Sequence, residues 1–163
     1  MNKPSCLRFV LAALLLVVGP RLVLAEWRPI STSGFVVDAG SPALALSKSF
    51  NLVVSTDEAG DAQWIVQTVA VDEGDVIDAV AVCYSAPNLG TFISRLRLSE
   101  FGGLGDAFIR HDDDTDLTSA TDDCHVSLVG DYSPAGAVEL ALRLHFANAT
   151  HSIKIAAVSV HLK

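Results

Sequence analysis

The residues best suited to chemistry crowd into His111 to Asp123, HDDDTDLTSATDD. Asp112, Asp114 and Asp116 fall at alternate positions, and Asp123 is twelfth counting from Asp112. Calcium takes about six to eight hard oxygen ligands, and a carboxylate-rich segment can offer several of them from one short stretch. Asp112, Asp114, Asp116 and Asp123 are therefore a candidate Ca2+ ligand set. The competing reading is a solvated acidic loop whose charge keeps a neighbouring strand edge from pairing.

The alternating aspartates match the start of an EF-hand loop, but the match stops there. Leu117 stands where that loop needs glycine, Asp123 replaces the closing glutamate, and the flanking text is not helical. An EF-hand is excluded. The five histidines, His111, His125, His145, His151 and His161, lack the tight spacing of a zinc protease site, so they read as surface or edge residues. His125 should point the same way as Ser127, two residues along a strand, and His145 should share an outward face with Arg143. A GxSxG elbow is missing, so a Ser/His/Asp set has no support above chance.

Acid pairs such as Asp72/Glu73 and Asp122/Asp123 could serve a glycosidase. Adjacent acids at turns usually serve solvation, and a small secreted carbohydrate hydrolase is kept only as an alternative. Trp27, Trp64, Tyr84 and Tyr132 are the only indole and phenol rings for sugar stacking, with Trp27 and Tyr132 expected to be the exposed ones. Carbohydrate is thus a candidate ligand by fold analogy alone. Asn148-Ala149-Thr150 is a candidate glycosylation sequon near a strand end.

The chain opens MNKPSCLRFVLAALLLVVGPRLVLAEW, with a basic start at Lys3 and Arg8, an apolar run from Phe9 to Val18, and small or aliphatic residues at 23–25. This is the three-part pattern of a secretory signal peptide over residues 1–25, and it places the product outside the cell or in a periplasm. Its apolar run is short of the roughly 20 residues that a membrane span needs. Residues 26–163 then form one domain of ordinary size. The leader holds Lys3, Arg8 and Arg21 but no acid, so its loss moves the formal net charge from −8 to −11. A domain so acidic, with no Lys/Arg cluster, repels phosphate backbones, which excludes nucleic acid as a partner. Cys83 and Cys124 are the cysteines left, and in an oxidising compartment they are expected to pair. The bridge would close a loop of about 41 residues, worth about 4 kcal/mol on the chain-entropy model.

The text that must position these groups is strand-like throughout. Val76 to Glu100 reads as two strands joined by a tight Ser-Ala-Pro-Asn-Leu-Gly connection, a central pair on which the rest is organised. Arg95 and Arg97 share one face of the second strand. Val138, Leu140, Leu142, Leu144 and Phe146 alternate with polar and small residues, the mark of a half-buried strand. Between Ile153 and Leu162 the apolar parity slips, which predicts a bulge or burial on both faces. Glu26 to Gly34 reads as a turn-like leading segment. Further strands are expected at 35–37, 49–56, 63–71, 107–110 and 124–129, and no helix is expected after the leader.

About eight short strands with frequent turn signals predict an antiparallel β-sandwich, jelly-roll or immunoglobulin-like, with a small β-barrel as runner-up. The functional expectation is a secreted, non-enzymatic module that binds a ligand or assembles, calcium-stabilised at the acidic loop. A structural subunit that forms homo-oligomers through an apolar patch is the alternative, and neither reading calls for stable membrane insertion.

Overall fold

The computed structural model describes residues 25–103 and 106–163. The expected signal peptide therefore falls outside the described residues, save Ala25. Eleven β-strands make up the described chain, with one 3-10 turn at Thr32–Gly34. They are β1 (Glu26–Ile30), β2 (Val36–Val37), β3 (Leu44–Lys48), β4 (Leu52–Thr56), β5 (Gly60–Val69) and β6 (Ile77–Ser85). The rest are β7 (Phe92–Phe101), β8 (Ala107–Asp113), β9 (Asp123–Tyr132), β10 (Ala137–Phe146) and β11 (Ser152–Leu162).

The strands form two antiparallel sheets packed face to face. The first has the order β3-β4-β11-β6-β9, with β1 pairing the far half of β11. The second has the order β2-β5-β10-β7-β8. The chain crosses between sheets at nearly every connection, and only β3–β4 and β7–β8 are sequential neighbours within one sheet. This winding of β4 to β11 is a jelly roll, the first of the two expected sandwich topologies.

Side-chain parity explains the core. Val138, Leu140, Leu142, Leu144 and Phe146 are each 0–1% exposed, as their alternation predicts, and they meet Leu52, Val80, Val82 and Ile155 from the opposite sheet. In β11 the slip of parity is a bulge: the register with β6 shifts between Ile155 and Ala157, so Ile153, Ile155, Val158 and Val160 all face inward.

Three expectations need correction. Residues 76–100 do not form a hairpin, because β6 lies in the first sheet and β7 in the second. The 86–91 connection climbs over the end of the sandwich through a turn in which Gly90 takes φ +74° and the Thr91 amide donates to Asn88 O. Tight turn chemistry is common to hairpins and to such crossings, so the local text could not distinguish them. Residues 26–30 are a strand rather than a turn-like lead, since the long β11 offers backbone partners as far as Leu162. Residues 111–123 are loop only in their middle. His111 to Asp113 extend β8 on the ladder of β7, and Asp123 opens β9.

Candidate functional site

The two sheets turn different outer surfaces to solvent. On the second sheet the outward residues of the central strand β10 are Glu139, Ala141, Arg143 and His145. Across the ladder, Ala141 faces Val66 on one side and Arg97 on the other, and Arg143 faces Trp64 and Arg95. Ala141 is the smallest side chain in this row, and the space above it is a depression of about 210 Å3. Asp38, Trp64, Arg97, Ser99 and Glu139 stand around it, with Val66 and Ala141 as the floor. The Asp38 amide donates to Trp64 O at 3.0 Å, which fixes the short β2 edge beside the indole.

The charges on this face are mostly spoken for. Arg97 donates to both oxygens of Asp112, from Nε at 3.1 Å and from Nη2 at 3.0 Å, and Arg95 reaches the same carboxylate at 3.3 Å. The Arg97 guanidinium also lies 5.1 Å from the Trp64 ring centroid, within cation–π range. Arg143 pairs with Asp61. Farther along β10, His145 stacks on Phe92 at 4.7 Å between ring centroids. Glu139 and Asp38 are the exceptions: among the described residues Glu139 has no ion pair, and neither does Asp38. Burial, and then the negative charge of Asp38, push the Glu139 carboxyl above the ordinary range.

Other hollows are larger but chemically plainer. One of about 430 Å3 lies among Val71, Glu73 and Pro134, and one of about 370 Å3 lies against Leu89 and Phe92. Neither brings an aromatic ring together with charged groups. The depression over Ala141 does, and it lies on rigid central strands rather than on turns.

The residues singled out from sequence end in several places. Asp112 serves the two arginines. Asp113, its neighbour, points the other way and accepts from His125 Nε2 at 2.8 Å, from the Ser127 hydroxyl and from the Thr115 amide. Its burial opposes ionisation, but the bonds from His125, Ser127 and Thr115 outweigh that and hold the carboxyl far below its ordinary value. Asp114 and Asp116 are exposed, and Asp123 binds its own following amide at Cys124. Among the described residues no group of three or more His, Cys, Asp or Glu side chains is arranged to hold a metal ion.

His125 and Ser127 do point the same way, toward Asp113, and His111 contacts the Ser127 hydroxyl at 2.7 Å. This cluster spans the seam between the edge strands β8 and β9. His151 meets Thr91 and His161 meets Asp78, so each histidine has a structural partner. Asp72 pairs with Arg28, and Asp122 with Lys154. Cys83 and Cys124 form the expected disulfide between directly opposed residues of β6 and β9. Asn148 is exposed in the turn after β10.

Sequence reasoning takes Trp27 and Tyr132 as the exposed rings: Trp27 is 47% exposed, but Tyr132 is half-buried and packs against the core. The same reasoning passes over Trp64. The available signal was parity, which sets Trp64, Val66 and Thr68 on one face against Ile65 and Val69 on the other. Both sets are apolar enough to be inward, so the pattern alone could not orient the strand.

Neither a protein-family model nor a curated protein matches the sequence. Solved structures do match in fold. The xylan-binding module CBM15 superposes with a TM-score of 0.57 at 16% identity, covering 85% of this chain and 97% of that one. TmCBM61, in complex with β-1,4-galactotriose, gives 0.53 at 14% identity, covering 79% and 88%. The CBM22-1–GH10 modules of Clostridium thermocellum xylanase 10B, complexed with xylohexaose, give 0.56 at 12% identity. That likeness covers 86% of this chain, which spans only 28% of the xylanase chain. At such identities the likeness is one of fold: the chain has the two-sheet β-sandwich architecture found in carbohydrate-binding modules.

Proposed function

We propose that the protein is a non-enzymatic carbohydrate-binding module that takes a glycan chain on the outer face of the β2-β5-β10-β7-β8 sheet. The observation that carries this reading is the depression over Ala141, where the Trp64 indole, the Arg97 guanidinium and the Glu139 carboxylate converge on rigid strands. An aromatic surface takes the apolar face of a sugar ring, and fixed polar groups take its hydroxyls. From Glu139 to His145 the face runs about 20 Å along β10 at strand spacing, room for several sugar rings in line. Solved modules of this fold described as xylan-binding, or holding xylohexaose and β-1,4-galactotriose, support the ligand class. The disulfide supports an extracellular or periplasmic setting, consistent with the leader.

The test is titration with xylo- and β-1,4-galacto-oligosaccharides. Binding should weaken about thirtyfold in Trp64→Ala, as for loss of one central aromatic anchor. Equal binding by parent and variant would remove the site from this face.

A second reading, assembly of copies, is favoured by the outer face of the first sheet. There Leu128 is 77% exposed, Val126 49% and Trp27 47%, beside Ala79, Ala81, Ala157 and the disulfide. The calcium reading of Asp112, Asp114, Asp116 and Asp123 is proposed separately, on the exposure of Asp114 and Asp116. It expects a melting-temperature rise with calcium over EDTA that magnesium does not reproduce and that Asp114→Asn abolishes. No rise would leave the segment as surface charge.

A further inference from the structure

The carboxylates at the depression say more about the ligand than its aromatic ring does. Glu139 and Asp38 line the same hollow, and neither has an ion pair among the described residues. The single cation there among the described residues, Arg97, is already committed to Asp112 through two hydrogen bonds. Arg95 shares that carboxylate, and Arg143 belongs to Asp61. The hollow therefore holds two unneutralised negative charges close enough that Asp38 raises the proton affinity of Glu139.

Covering such a pair with an uncharged sugar ring would strip water from both carboxylates without supplying a countercharge, which costs free energy. Covering them with an anionic sugar would add repulsion from the hollow and from a chain whose formal net charge is already −8. A ring bearing an ammonium group avoids both costs: its apolar face rests on Trp64 while its charge meets Glu139 and Asp38. We propose that this site selects a glycan carrying free amino groups, such as a β-1,4-linked glucosamine chain, over neutral and acidic glycans. This rests on the assignment of glycan binding to the same face.

The experiment compares glucosamine, N-acetylglucosamine and xylose oligomers of equal length by calorimetric titration at physiological ionic strength. The parent protein should bind the amine-bearing oligomer at least about tenfold more tightly than either neutral one. Glu139→Gln should erase that preference while leaving affinity for the neutral oligomers the same or higher, because it removes the charge and keeps the shape. Glu73→Gln, on an exposed turn outside the site, controls for attraction to the acidic chain at large and should preserve the preference. Equal affinity for all three oligomers, a preference that survives Glu139→Gln, or an equal loss in Glu73→Gln would overturn the amine assignment alone. Absence of binding to every oligomer would instead overturn the glycan reading beneath it.

Discussion

The two outer faces of the sandwich are built on one core but made of different material. The face of the second sheet carries Arg95, Arg97, Arg143, Asp61, Asp112 and Glu139 around Trp64. The face of the first sheet, on the half around β6 and β9, carries Ala79, Ala81, Ala157, Val126 and Leu128, with the Cys83–Cys124 bridge among them. The first of these faces is polar, preorganised by ion pairs and hollowed at one small residue. The second is largely apolar and is tied by a covalent bond. Solubility alone would have favoured charge on both. The difference teaches that the charged face has the fixed polar groups that discrimination among small ligands needs. The apolar face offers area without direction, and area suits another protein surface.

The contrast can be broken at its strongest point first. Replacing both cysteines by serine should lower stability by about 4 kcal/mol, the entropy of the loop that the bridge closes. Glycan affinity should stay unchanged, because the bridge lies on the other sheet. Chemical denaturation and titration on one preparation check this, and a parallel loss of affinity would mean that the faces are coupled.

The seam where the sheets meet gives the next effect. Asp113 on β8 accepts from His125 and Ser127 on β9, and its carboxyl is held far below the ordinary range. A depressed carboxyl stabilises the fold fully above its unfolded value near 4, and that contribution is lost as pH falls toward the folded value. Asp113→Asn should therefore cost about 2 kcal/mol at pH 7, in the range for hydrogen bonds to a charged group, and the cost should shrink below about pH 4. Melting temperatures of parent and variant from pH 7 down to about pH 2, a range that reaches well below the unfolded value near 4, would show the two curves converging in acid. Parallel curves would mean that Asp113 contributes no linked stability.

Leu128→Lys is the smallest test. Stability should move by no more than about 0.5 kcal/mol, because the side chain is exposed. If copies assemble through the apolar face, light scattering at two concentrations should show the parent growing and the variant staying monomeric. A parent that stays monomeric at both concentrations would leave that face without this role.

How much of this was legible depended on the range of the interaction. The inward set of β10, the bulge in β11 and the shared face of Arg95 and Arg97 follow from alternation along one strand, which the sequence displays directly. The cysteine pair followed from arithmetic and compartment. The placement of β6 and β7 in opposite sheets did not, because it depends on β11 and β10, which lie far along the chain. The face proposed to take a ligand was hidden for the same reason. Trp64, Arg97 and Glu139 come from three strands, and only the order β5-β10-β7 makes them neighbours. In the acidic segment the letters look uniform, but strand pairing turns the neighbours Asp112 and Asp113 to opposite sides.

The position of β11 has a consequence for how the molecule comes into being. It is the strand on which β1, β4 and β6 all depend for backbone partners, and it is the last of the sandwich to be synthesised. Until Ser152–Leu162 have emerged, β4 and β6 have no common neighbour, and the first sheet exists only as separate pieces. Closure of the domain is thus a late, all-or-none event governed by contacts distant in sequence, and folds of that kind mature in milliseconds to seconds rather than microseconds.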